Sequence, residues 1–426
     1  MDTIFRHIFC RIMLAVGSVM LPTLAVSADV IYVPATDGAF AAAVATAQPG
    51  DTLRLAPGIH RGEIKLEKSL TIEGETDAII DGGGKAQVLV ITKPNTIIRG
   101  LTVRNSGRSL ATEDAGIFVT KTGVGSLIEN VTVRSSLIGI YLKGAQDTIV
   151  RSNKIFGLTD LRVNERGNGI QIWSSPGAII EDNEIRDGRD GIFVTTSKRN
   201  IFRRNSFERT RIAVHYMYTN NSEVSENVSK GNHVGYALMY SKRLKVLDNV
   251  SIGDRDHGIL LNYANRSVLE RNVVKDGKTK CVFIYNSSRN AFRQNHFQGC
   301  GIGIHFTAGS ERNLFTENAF IANRHQVKYV GTRWLDWSDN GRGNYWSDNA
   351  AFDLNADGLA DTPYKPNDMV DGILWAYPAA KLLLNSPAVR TLRWAQRKFP
   401  ALYPGGVVDS APLMKPPELA ALEAVK

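Results

Sequence analysis

Cysteine is nearly absent, with three in a chain of 426 residues, and Cys10 lies in an N-terminal segment that reads as removable. The two others, Cys281 and Cys300, are too few to build a disulfide-held fold. Long apolar runs are equally scarce. Beyond the first thirty residues no segment is apolar enough to cross a bilayer. Aromatic residues make up only 8%, and no nucleic-acid-binding motif is present. What remains is ordinary in bulk, 43% hydrophobic and 22% charged, enough for a sizeable core.

Arg6 and Arg11 precede an apolar stretch from Ile12 to Val26, which exits through Ser27 and Ala28. A basic start, a short apolar run broken by Gly17 and Pro22, and small residues at the exit describe a secretory signal peptide over residues 1–28. The expectation is a chain exported from the cytoplasm and soluble outside it. Without those residues 49 basic side chains face 41 acidic ones. Such a surplus suits anionic partners or lipid headgroups, or serves solubility alone.

Against this background one pattern dominates. Gly116-Ile-Phe-Val, Gly139-Ile-Tyr-Leu, Gly169-Ile-Gln-Ile, Gly191-Ile-Phe-Val, Ala213-Val-His-Tyr, Gly235-Tyr-Ala-Leu, Gly258-Ile-Leu-Leu, Val282-Phe-Ile-Tyr and Gly303-Ile-His-Phe recur every 21–24 residues, with one step of 30. Asparagine recurs independently at Asn130, Asn153, Asn183, Asn205, Asn227, Asn249, Asn272, Asn295 and Asn318, with the same long step. Leucine-rich repeats share the period, but their spaced leucines are missing. Helical repeats are longer and space their apolar residues by three and four. Alternating motifs rich in Ile, Val and Tyr read as half-buried strands. The expectation is an all-β, right-handed parallel β-helix over residues 29–348, on the order of thirteen turns and about 60 Å long. Asparagine at a recurring turn bonds neighbouring backbone, tolerates a left-handed conformation and stacks from coil to coil.

The ends follow from the same logic. Residues 40–47, rich in alanine, predict a short helix that covers the open N-terminal end, with the first coils at 51–58 and 69–74. The long step predicts a loop near 157–166. Past Trp346 the repeat stops, and 349–426 reads as a separate extension with short helices. One of these starts at Ser386-Pro387, runs to about Phe399 and carries Arg390, Arg393, Arg397 and Lys398. A second weak helix or tail covers 418–426.

Numbering each motif from its glycine puts positions one and three in the core and two and four outside. The outward pairs then read Gln171 and Trp173, Phe193 and Thr195, His215 and Met217, Ala237 and Met239, Leu260 and Asn262, Ile284 and Asn286, His305 and Thr307. Met217 and Met239 share a column on consecutive coils, about 5 Å apart, and His215 lies two residues before Met217 on the same face. Thioethers with an imidazole suit Cu(I), because soft ligands select soft ions. The same residues also suit an apolar contact patch. Trp173, Phe193, Leu260 and Ile284 are unusual on a solvated face and call for a covering element or partner. His305 lies too many coils away to join His215. Cys281 and Cys300 fall on consecutive coils at unequal offsets, and their pairing stays open.

Asp353, Asn355, Asp357 and Asp361, with Gly358 at the sixth position, have the opening spacing of a calcium loop. Tyr364 stands where the closing glutamate belongs, so the segment reads equally as an Asx-rich turn. Sugar chemistry, common on β-helices, needs paired carboxylates on one face. Asp187 with Asp190, and Asp254 with Asp256 and His257, are the candidates, each in a turn of one coil. The Asp-Pro-His-Asp, Asn-Thr-Asp and Gly-His-Gly patterns of epimerases and polygalacturonases are absent. A polysaccharide-binding or polysaccharide-modifying β-helix is therefore the alternative reading.

Val214-His-Tyr-Met-Tyr218, Gly235-Tyr-Ala-Leu-Met-Tyr-Ser241, Phe283-Ile-Tyr-Asn-Ser287, Gly303-Ile-His-Phe-Thr-Ala-Gly-Ser310 and Gln326-Val-Lys-Tyr-Val330 resemble the NosD family, periplasmic maturation factors of nitrous oxide reductase. Gly343-Asn-Tyr-Trp-Ser-Asp348, the Asp353 loop, Asn385-Ser-Pro387 and Asp409-Ser-Ala-Pro-Leu413 extend the resemblance across nearly the whole chain. It implies a protein without catalytic activity in the periplasm of denitrifying bacteria. Its implied partners are an ABC transporter's membrane subunit and ATPase, a copper chaperone and the apo-reductase, whose copper–sulfide centre it helps assemble. Membrane association would be peripheral, through the transporter, with the basic helix at 387–399 and the tail after Pro412 as docking elements. Under that resemblance His215, Met217 and Met239 become a transient Cu(I) relay, an assignment resting on spacing.

Overall fold

Short β-branched segments separated by turns have no helical alternative, and a strand with one buried face is stable only when stacked on its like. In the computed structural model, which describes residues 28–307, 309–399 and 405–419, each coil lays down three strands. They stack into three parallel sheets of 13, 12 and 13 strands, called A, C and B. Sheet A begins at Val30–Val33 and Thr52–Leu55, sheet B at Gly58–Arg61 and sheet C at Ile64–Leu66. The result is a right-handed parallel β-helix.

Register is uniform. Ile192, Val214, Tyr236, Ile259, Val282, Ile304 and Val327 pair in succession along sheet C, and all lie within 1% of complete burial. Full burial of such a side chain contributes roughly 1.5–3 kcal/mol. A one-residue slip would turn the whole column into solvent.

The asparagine series forms a buried ladder. From Asn153 through Asn344 each Nδ2 donates to the next Oδ1 at 2.8–3.0 Å. The left-handed backbone sits one residue earlier than expected, at Ser152, Asp182, Arg204, Glu226, Asp248, Arg271, Gln294 and Glu317. Asn130 is itself such a residue (φ 52°), and Val131 takes the ladder place by donating its backbone N–H to Asn153.

Helix α1 (Ala39–Thr46) covers the N-terminal end and buries Phe40. Residues 157–169 loop out between Lys154–Phe156 and Ile170–Trp173. The last rung of the stack is Tyr345–Trp346. There Trp337 and Trp346 stack on Phe315 and Phe320 with centroids 4.0 and 4.3 Å apart. The chain then returns: Gly406–Val408 pairs with Trp334–Asp336, and buried Asp409 accepts hydrogen bonds from Trp346 Nε1 and Asn344 N, both at 2.7 Å.

Helix α2 (Met369–Ala376) was not anticipated, although Asp368 and Asp371 form a capping box at its start. Helix α3 (Pro387–Lys398) begins as expected, Ser386 accepting from Val389 N. The leader (1–28, apart from Ala28) and residues 420–426 of the tail lie outside the described residues.

Candidate functional site

The outer face of sheet C is where sequence and geometry concentrate unusual side chains. One expected rung is wrong there. Cys281 takes the place of the motif glycine, so Val282 pairs with Ile259 and Phe283 with Leu260. Ile284 is fully buried, and Asn286 belongs to the following turn. Phe283 and Tyr285 are the outward residues of that coil. The alignment on Val282 failed because every neighbouring motif offers a small residue at the corner, and cysteine was not counted as one.

With that register, one outward column reads Gln171, Phe193, His215, Ala237, Leu260, Phe283, His305 and Lys328. Beside it run Trp173, Thr195, Met217, Met239, Asn262 and Tyr285. A third column contains Asp190, Ile212, Val234, His257 and Lys280.

His215 is held from two sides. Its ring lies 5.0 Å from Phe193, and Nδ1–H donates to Asp190 Oδ2 at 2.9 Å. Asp190 is fully buried and also takes two hydrogen bonds from Arg211, at 2.8 and 2.7 Å. Burial alone would raise its pKa, but the bonds from His215 and Arg211 outweigh it and hold the carboxyl below its ordinary range. The other ring nitrogen, Nε2, is buried and has no hydrogen-bond partner. A carboxylate orienting an imidazole in this way is the usual support of a metal-ligating histidine.

Met217 and Met239 pair directly across adjacent strands, both half-buried, with Met239 packed on the apolar cluster of Ile212, Val234 and Ala237. The donor set is one ring nitrogen and two thioethers. It fits a soft monovalent ion such as Cu(I) better than a hard divalent one. Among the described residues no group of three or more His, Cys, Asp or Glu gathers as metal ligands. Next to the methionines runs an exposed tyrosine stack. Tyr218, Tyr240 and Tyr263 lie 5.2 Å apart, and Tyr285 closes the stack edge-on.

The carboxylates considered for sugar chemistry are engaged elsewhere. Asp187 is bidentate with Arg209. Asp254 is buried and accepts from Ser229, Ser251 and Asn232 N. Asp256 lies 2.9 Å from His257.

In the acidic loop, Asp353 accepts from the backbone of Asp357 and Gly358, Asn355 from Asp357, Asp357 from Leu359, and Asp361 from Leu354. Cys281 and Cys300 are joined in a disulfide with Cα atoms 5.6 Å apart. Cys300 stands at the corner between sheets B and C, where sequence offset does not translate into distance along a strand. Asp190 and Arg211 were missed as supports of His215. Asp190 lies one coil and three positions back, a relation visible only once the register is known.

Residues 154–351 match the family model described as "Periplasmic copper-binding protein (NosD)". A curated relative from Stutzerimonas stutzeri, named "Probable ABC transporter binding protein NosD", is 40% identical over 378 residues, covering 85% of this chain and 87% of the relative. One of the same name from Pseudomonas aeruginosa is 42% identical over 376 residues, covering 85% and 88%. Among solved structures, the Yersinia enterocolitica family 28 exopolygalacturonase matches at a TM-score of 0.50 and 11% identity, over 66% of this chain and 78% of that one. That likeness concerns the fold alone. Among the described residues no helix is long and apolar enough to cross a membrane.

Proposed function

The chain belongs to the NosD family, and we propose that it is a non-catalytic periplasmic accessory protein for nitrous oxide reductase maturation. In this reading it works with an ABC transporter, whose membrane subunit and ATPase it meets, to assemble the copper–sulfide centre. Cu(I) is cargo, relayed from a copper chaperone toward the apo-reductase by His215, Met217 and Met239. The observation behind this reading is the buried, unpartnered Nε2 of His215, whose ring Asp190 holds in the column next to two register-paired thioethers.

The chain's own part is to hold and release. Asp190 and Arg211 fix the ring before any ion arrives. The half-buried methionines supply neutral ligands, so a bound Cu(I) would keep its single positive charge, with the Asp190 carboxylate behind the ring to face it. Docking to the transporter falls to the C-terminal helices, where Leu382, Leu383, Trp394 and Phe399 are exposed beside Arg390, Arg393 and Lys398. A calcium ion at Asp353, Asn355, Asp357 and Asp361 would stabilise the returning tail. Glu317 and Glu418 line the same cavity as Asp353 and Asp357, Glu317 being paired with Arg342. A rise in Tm on adding calcium tests that ion, and an unmoved Tm rejects it.

Changing His215, Met217 and Met239 together to Ala should remove one equivalent of Cu(I) in a competition titration and leave the far-UV circular dichroism unchanged. Unaltered copper stoichiometry in that variant rejects the site. Co-purification of an ATPase and the reductase from solubilised membranes tests the partners.

A further inference from the structure

A second feature of the same face serves none of the steps above. Where helix α2 overlies the end of sheet C, a cavity of about 420 Å³ opens between Leu374 and Trp375 on one side and Lys278, Arg324, His325 and Lys328 on the other. No carboxylate lines it. Among the described residues no ion pair reaches Lys278, Arg324 or Lys328, nor Lys280, which stands two coils from His325 in one column. Several arginines elsewhere on this molecule are paired from rung to rung, as Arg204 is with Asp182 and Arg209 with Asp187.

Uncompensated charge beside apolar walls raises the local potential. Lys280 Nζ lies 4.5 Å above the ring of Phe283, and His305 stacks 4.9 Å from that same ring. Lys328 follows His305 in the same column, its Nζ 5.7 Å from Trp375. The neighbours register the crowding. Burial first, then Lys328 and Lys280, push the His305 imidazole down to about 4. Burial first, then Lys328, also lower Lys280, although Asp256 opposes them. On the helix side, the charge of His325 acts on the Asp371 carboxyl of α2, and Asp368 lines a neighbouring cavity with Lys328 and Trp375.

We propose that this cavity binds a phosphate-class oxyanion, with Arg324 and Lys328 as its principal donors and Lys278 at the rim. A planar guanidinium engages such an oxyanion through two hydrogen bonds, and an ammonium serves as a point charge beside it. Leu374 and Trp375 of α2 give the site an apolar border. The oxyanion is therefore either free phosphate or the headgroup of an anionic phospholipid. The site does not depend on the copper reading.

Inorganic phosphate titrated calorimetrically into the full protein at low salt should bind with one-to-one stoichiometry. K278A/R324A/K328A should weaken it at least about tenfold, with an unchanged Tm because these side chains lie at the surface. Co-sedimentation with phosphatidylcholine vesicles, with and without phosphatidylglycerol, separates the sources. Phosphatidylglycerol-dependent binding that phosphate displaces and the variant lacks identifies the headgroup. Phosphate binding without vesicle discrimination identifies the free ion. If neither probe binds, or the variant binds as well as the parent, there is no oxyanion site.

Discussion

At the residue scale the account depends on how one side chain is held. Asp190 accepts from His215 Nδ1–H and from Arg211, so its effect on copper acts through the imidazole. Asp190→Asn should leave the two thioethers in place and weaken Cu(I) about 10–100-fold, the usual loss when such a support is removed. Competition titration reads that loss, and a Cu(I) affinity equal to the parent's would mean that Asp190 does not aim the ring. His305 is a separate case. Its folded-state pKa, near 4, lies below the ordinary 6.5, so the unfolded chain binds the proton more readily between those values. The contribution is complete above about pH 6.5 and is lost as pH falls toward 4. His305→Gln should therefore flatten the urea midpoint's decline over that window, and a variant that follows the parent's pH profile contradicts the assignment. Columns of the repeat were readable from sequence wherever glycine or alanine marked the corner. They failed at Cys281, where a residue of another type filled the same small corner and shifted Phe283, Ile284 and Tyr285 by one place.

At the scale of the element, the asparagine ladder and the returning tail are the two structures whose removal should be most costly. Asn227 donates to Phe202 O, Ser225 O and Asn249 Oδ1, and accepts from Asn205. Asn227→Ala leaves several of these groups buried and unpaired, an expected loss of about 2–3 kcal/mol by urea denaturation. A surface-like change below about half a kcal/mol would show that the ladder is not a stabilising element. The ladder's period was visible in the sequence, but its phase was not. Asn130 and the ladder asparagines are the same residue type, and only backbone conformation separates a left-handed corner from a ladder rung. Helix α2 escaped notice because its eight residues span barely two turns and Gly372 interrupts them, even though its capping box was present in the sequence.

For the whole molecule, a stack of identical rungs converts a local choice of side chain into a ladder spanning several coils. Methionine, tyrosine and lysine columns arise from one register, and the interior needs only size and apolarity to maintain it. That architecture was legible because two independent markers shared one period. The site was half legible. His215, Met217 and Met239 could be aligned by counting, whereas the buried carboxylate behind them and the cationic cavity under α2 depend on contacts between elements distant in sequence. The most direct test of the central claim is X-ray absorption at the copper edge on the protein loaded with one equivalent of Cu(I). The account predicts two sulfur neighbours and one imidazole nitrogen, with the sulfur signal gone in M217A/M239A. A first shell without sulfur would contradict it.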